Sequence, residues 1–265
     1  MRKSFSRPNS VSRRKWIATA GIGLPLAQVI AAPPPEKLDV TDKFPMQPAE
    51  LVKEMVTVSH GNLKRVRELV EAHPALAKAS WDWGFGDWEA AIDAASHVGN
   101  REIAQYLIGK GARPTLFTAA MLGQLDVVKG IIQGHPGVQR CAGPHSISLL
   151  AHAKSGGAEA KGVYQYLESL GDAGSPGSTP ITEAELNSLA GAYFYGSGST
   201  ELIEIKANNN QLLFTRTGGT PRPLIYLGNQ TFHPAGASAV RIEFRESKLT
   251  VYDPEPMLVA TKSGQ

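Results

Sequence analysis

Seven histidines are the residues of this chain best suited to holding a metal or moving a proton. His60, His97 and His152 each close a short helical stretch just before a turn glycine, which would place them along one surface. Imidazole titrates near neutrality and ligates transition metals at about 2 Å. A site on these three would draw its ligands from separated segments, and no close spacing such as H-E-x-x-H ties any two of them. Histidines so placed commonly hydrogen-bond a neighbouring loop. The sequence reading therefore assigns no metal ligand and no cofactor. His73-Pro74 and His135-Pro136 close two other helices, where a cation suits the helix C-terminus and the proline stops the turn.

The search for a nucleophile gives no better candidate. Ser12-Arg13-Arg14-Lys15 fits S-x-x-K but lies in a basic leader. No G-x-S-x-G is present, and GSGST at 196–200 is too short for a phosphate loop and has no following lysine. Cys141 is the only cysteine, which excludes an internal disulfide and a cysteine metal site. No catalytic residue is assigned, and the chain is expected not to be an enzyme.

The leader explains the charge. Residues 1–31 carry six basic side chains and no acid, then a stretch of small and apolar positions too short to span a bilayer. Arg13 and Arg14 after Ser12, with Trp16 and Ile17 behind them, resemble a twin-arginine export signal. Cleavage is expected after Ala31, and no cysteine follows to take a lipid anchor. The whole chain has 27 basic and 24 acidic residues, net +3; without the leader's six basic residues the balance is 21 to 24, net −3. A nucleic-acid role loses its electrostatic support. The expected product is periplasmic or secreted, a monomer without a stable membrane anchor. A proline-rich segment, 32–49, leads into the fold.

The elements that must position any site begin at residue 50. Four stretches share one plan of helix, glycine turn and helix: VTVSHGNLKRVRELV, DAASHVGNREIAQYLI, TAAMLGQLDVVKGII and AHAKSGGAEAKGVYQYL. Val66, Leu69 and Val70 follow Gly61 at the offsets at which Ala104, Leu107 and Ile108 follow Gly99 and Val128, Ile131 and Ile132 follow Gly123. Those offsets describe one helix face. With IGKGARP at 108–114, the segment 50–174 resembles a short ankyrin array of about four repeats, although the family's Thr-Pro-Leu-His opening is replaced by Ala90-Ala91-Ile92-Asp93. The resemblance implies a helical solenoid that binds a protein partner. It also makes SWDWGFGDWE, at 80–89, an enlarged hairpin finger, in which Trp81 and Trp88 would staple the loop and Trp83 and Phe85 would stand at the tip. The expected partner-binding residues are Trp81, Asp82, Trp83, Phe85, Asp87 and Trp88, with Asp93, Met121 and Leu122 beside them.

After a Gly/Ser/Pro-rich linker, 175–184, the pattern changes to period two. AYFYG, TELIEIKA, QLLFTRT, PLIYLG, TFHP, AVRIEFRE and KLTVYD read as seven short strands of a small antiparallel barrel or sandwich over 185–262. The words IEIKANNNQLLFTR and PRPLIYLGNQTFHPAG resemble the lipocalin-like β domain that follows bacterial serine-hydrolase domains, a non-catalytic accessory module. Tyr193, Tyr195, Phe214, Tyr226 and Phe232 would face its interior.

The fold class expected is thus α + β with two domains, an ankyrin solenoid followed by a β barrel or sandwich. The function expected is an exported scaffold that binds a protein through its aromatic finger. Two alternatives stand beside it. One is a small-ligand or glycan binder that uses the β domain. The other is an accessory or cryptic hydrolase, which would require a cluster such as His60, His97 and Asp93.

Overall fold

The computed structural model describes residues 44–174 and 179–263, which belong to one compact unit. The leader residues Arg13, Arg14 and Ala31, and 175–178 of the linker, lie outside the described residues. No helix among the described residues is long and apolar enough to cross a membrane.

The helical part consists of α1 (Ala49–Val58), α2 (Leu63–Ala72), a hairpin of β1 (Ser80–Asp82) and β2 (Trp88–Ala90), α3 (Ala91–His97), α4 (Arg101–Gly109), α5 (Leu116–Met121), α6 (Leu125–Gly134), α7 (Leu149–Ser155) and α8 (Lys161–Leu170). Side-chain caps start several of these helices: Asn62, Asn100, Thr115 and Ser148 accept backbone N–H groups in the first turns of α2, α4, α5 and α7. The periodic apolar residues Val66, Leu69, Val70, Ala104, Leu107, Val128 and Ile132 are buried. The short helices α1, α3, α5 and α7 touch in succession. Gly99 ends the turn after α3 at φ +76°, and a Cβ there would collide with the Ser155 carbonyl, so glycine lets the α7 end approach.

This corrects two expectations. The helical part is not shown as an ankyrin solenoid. Its helix pairs are joined by connections that differ in kind: one β-hairpin, one plain link over 110–115, and a loop of two 3₁₀ turns, Val138–Arg140 and Pro144–Ser146, pinned by an Ala142–Ser148 bridge. Nor do the two parts form separate domains, because finger and barrel share one compact unit.

Beyond α9 (Glu183–Leu189), which carries a Thr182/Glu185 capping box, eight strands close a barrel. They are β3 (Gly191–Phe194), β4 (Leu202–Asn208), β5 (Gln211–Arg216), β6 (Arg222–Gly228), β7 (Thr231–Pro234), β8 (Arg241–Arg245), β9 (Lys248–Asp253) and β10 (Glu255–Lys262). Each pairs antiparallel with its chain neighbour, and β10 closes on β3. The alternation seen in the sequence points Ile203, Ile205, Leu212, Phe214, Ile242, Phe244, Leu249 and Val251 inward. The interior is filled: Phe244 stacks edge-on against Tyr193 and Phe232, with ring centres 5.7 and 5.6 Å apart. Sequence reading missed β10, whose Pro256 and mostly exposed residues conceal the period.

Candidate metal centre

Four side chains from four segments converge where the finger meets the helices: His60 after α1, Glu89 in β2, His97 at the end of α3 and His145 in the loop before α7. One nitrogen or oxygen from each lies within 4.8 Å of all the others. Glu89 is the hub. Its side chain is fully buried, and its Oε1 stands 3.3 Å from His97 Nδ1, 3.4 Å from His145 Nε2 and 3.6 Å from His60 Nε2. Its Oε2 accepts a hydrogen bond from Trp83 Nε1 at 2.8 Å.

The hairpin explains how a carboxylate comes to be buried there. Successive residues of a strand point to opposite faces. Trp88 points outward and is 63% exposed, and Glu89 turns inward. His145 is held by an unusual backbone. His145 and Ser146 both adopt left-handed φ, 59° and 61°. For non-glycine residues such a conformation persists where the surroundings fix it. Asp87 does so here: its Oδ1 accepts the His145 backbone N–H at 2.9 Å, and its Oδ2 faces His145 Nδ1 at 2.7 Å. Asp87 also receives Arg222 Nη1 from the first residue of β6, at 3.1 Å. Gly236 of the barrel, at φ +83°, lies so close that a Cβ would strike the Asp87 carboxylate. Its N–H donates to Ser146 Oγ at 2.7 Å.

These contacts fix the tautomers. The Thr57 carbonyl, 3.0 Å from His60 Nδ1, can only accept, so Nδ1 carries the proton. Ionised Asp87 places the His145 proton on Nδ1 in the same way. His60 then presents a bare Nε2 to the cluster, and His145 would do so on giving up its Nε2 proton to an incoming ion, since its Nδ1 proton stays with Asp87. A ligating histidine whose other nitrogen is bonded to a carboxylate or backbone carbonyl is the usual arrangement around a metal. Meanwhile Glu89 Oε1 and His97 Nδ1 are buried without any hydrogen-bond partner, two of four such atoms among the described residues. Buried polar atoms left unpaired are costly.

An ion would satisfy both. With ligands at about 2.0–2.1 Å, tetrahedral neighbours stand about 3.3–3.4 Å apart. The three distances from Glu89 Oε1 are 3.3, 3.4 and 3.6 Å. Imidazole rings on a tetrahedral ion have centres roughly 5.2 Å apart; those of His60 and His97 are 4.8 Å apart, and those of His97 and His145 are 5.6 Å. Three imidazoles and a carboxylate suit zinc and its first-row neighbours.

Without an ion the groups compete for protons. Burial, ahead of the opposing pull of Glu89, lowers His97 to about 4. Burial also disfavours the charged form of His145, but Asp87 and Glu89 prevail and raise it to about 9. Asp87 is pushed upward by burial, and the His145 hydrogen bonds and Arg222 bring it below its ordinary value. Burial lowers His152, whose Nε2 is likewise unpartnered.

The structure brings together part of what sequence reading considered. His60 and His97 do share a surface, but Asp93 is elsewhere, its Oδ1 accepting from Thr115 Oγ1 at 2.8 Å. His152 stacks on Phe117 with ring centres 4.8 Å apart. Glu89 and His145 were missed because no short spacing links them to the rest. Their only signal was an acid in a tryptophan-rich hairpin and a histidine after Gly143-Pro144. Trp83 and Phe85, expected at the tip, face inward, and Trp88, expected to staple the loop, is exposed. Trp83 covers Glu89 and packs near His145, and Phe85 sets its ring edge-on to Phe214 of the barrel, 5.9 Å between centres. Trp81 lies under Lys53, and Asp82 Oδ1 accepts from Gly84 N–H. Met121 is fully buried and Leu122 partly so. No family model matches the chain, and no curated protein matches it.

Proposed function

We propose that this chain is an exported metalloprotein that holds one transition-metal ion, with zinc as its type, on His60, Glu89, His97 and His145. The observation that carries the reading is the pair of buried, unpartnered atoms, Glu89 Oε1 and His97 Nδ1, facing each other at 3.3 Å between two histidines of fixed tautomer. Export rests on the leader's basic and apolar pattern alone. A signal for folded cargo suits a protein that takes up its ion before leaving the cytoplasm.

The test is metal content of the purified chain after exposure to zinc and dialysis, beside a His97→Ala/His145→Ala variant. One equivalent in the wild type and none in the variant is expected. Equal zinc in both, or none in either, overturns the reading.

Protein binding stands as a second reading because Trp88 is exposed beside Asp93 and Phe117 in a groove of about 360 Å³. Loss of a retained partner on Trp88→Ala, with zinc content unchanged, would favour it.

A further inference from the structure

The fold limits what an ion held at this cluster can meet. Glu89 is wholly buried and the His97 side chain is 8% exposed, but those of His60 and His145 are 33% and 32% exposed. These two line a cavity of about 310 Å³. Its other walls come from Trp83 of the finger and from the barrel, at Thr220, Pro221, Pro223 and Ala235. Through these two histidines the cluster borders the cavity. The barrel part therefore supplies most of the walls of this approach.

Charge and wall chemistry specify the visitor. A divalent ion on one carboxylate and three neutral imidazoles leaves one positive charge. Asp87 and Arg222 do not alter that sum, because they pair with each other at 3.1 Å. An uncompensated charge beside a low-dielectric wall attracts one counter-charge strongly. Arg222, the only cation among the lining residues, is already engaged. Its Nη1 donates to Asp87 and to the Ala235 carbonyl, and its Nη2 donates to the Trp83 carbonyl at 2.6 Å. A second negative charge would find only the Thr220 hydroxyl as a free donor and no counter-charge, and burying it unpaired is costly. The remaining wall is mostly apolar, from the Trp83 ring, two prolines and Ala235. The volume is at the small end of ligand sites, about 300–1,000 Å³.

Resting on the metal reading, we propose that this cleft binds a small organic monoanion with an apolar body, a monocarboxylate of about benzoate's size, whose charged end adds to the ion on the His60/His145 side. His60 and His145 would hold the ion on the cavity side, where it would supply the positive charge that the carboxylate needs. Trp83 and the barrel prolines hold the hydrocarbon.

The experiment uses the full chain loaded with Co²⁺, whose visible bands weaken when a tetrahedral ion gains a fifth ligand. Cobalt content is measured first, before any anion is added. Benzoate, acetate and sulfate are then titrated. Benzoate is expected to change the bands and to bind roughly tenfold more tightly than acetate, from its buried ring, with sulfate weaker than both. Thr220→Trp, which fills the cleft from an exposed position, is expected to keep full cobalt uptake and to weaken benzoate by about tenfold. Pro221→Trp serves as a second plug if Thr220→Trp takes up less cobalt. Bands indifferent to benzoate overturn the proposal and leave the metal site standing. So does equal affinity for acetate and benzoate, or benzoate binding unchanged in a plugged variant with full cobalt. Failure to take up cobalt at all overturns the metal reading and this proposal with it.

Discussion

The helical part and the barrel are cored in opposite ways. Every buried polar or charged side chain among the described residues lies between Ser59 and His152: Ser59, Asp87, Glu89, Asp93, Ser96, Thr118, Gln139, Ser148 and His152. The barrel's buried side chains are apolar except for the Tyr193 hydroxyl, which donates to the Leu189 carbonyl at 2.8 Å. A core that buries charge without full pairing loses stability by it, and such groups persist where they do something else. The barrel is built for stability. On the proposed reading the helical part holds the ion and the barrel helps enclose it.

The sharpest break in that comparison is His97→Ala/His145→Ala, which should abolish zinc uptake while the barrel's circular dichroism persists. The mirror experiment is Phe244→Ala. Removing that ring from a filled interior should cost about 3–5 kcal/mol in denaturant unfolding, and the folded fraction should keep its zinc affinity. If zinc binding fell in step with stability, the two cores would not be independent.

Asp87 tests the seam, since it orients His145 and anchors Arg222 at once. Asp87→Asn should lower zinc affinity about 10–100-fold, as the loss of an outer partner of a ligating histidine does. It should also destabilise the fold, because Arg222 is left without a counter-charge. Titration calorimetry separates the first effect and denaturant melts the second.

Acid and base should distinguish the two parts without any substitution. His145 is raised from 6.5 to about 9, so its stabilisation is present below about pH 6.5 and is lost as pH rises toward 9. His97 is lowered from 6.5 to about 4, so its stabilisation is present above about pH 6.5 and is lost as pH falls toward 4. The metal-free chain should therefore be most stable near neutrality, with thermal midpoints falling on both sides. The barrel has its titration elsewhere. Burial raises Tyr193 from 10.0 to about 12, and that stabilisation is lost only as pH climbs through that range. Midpoints flat between pH 4 and 9 would count against the cluster. The smallest effect belongs to Trp88→Ala at an exposed position, within about 0.5 kcal/mol of wild-type stability.

Much of the barrel was legible in the sequence because a half-buried strand writes its period into consecutive residues, as in Leu202–Asn208 and Gln211–Arg216. The same holds for helices whose Asn or Thr caps adjoin a periodic face, such as Asn100 before Ile103, Ala104 and Leu107. β10 failed that test, and so did the expectation of a uniform solenoid, since connections of differing kind leave no periodic trace.

The sequence by itself determined the helix pairs, most strands and the tryptophan hairpin. It also put His60 and His97 at matching helix ends. Only the tertiary structure decided that Glu89, the finger residue facing inward, and His145, on a left-handed turn gripped by Asp87, would meet them. Helix and strand patterns are local and repeat every few residues. A cluster built from four segments depends on how the segments are packed, and its geometry is set by contacts between residues far apart in the chain, such as Asp87 with Arg222.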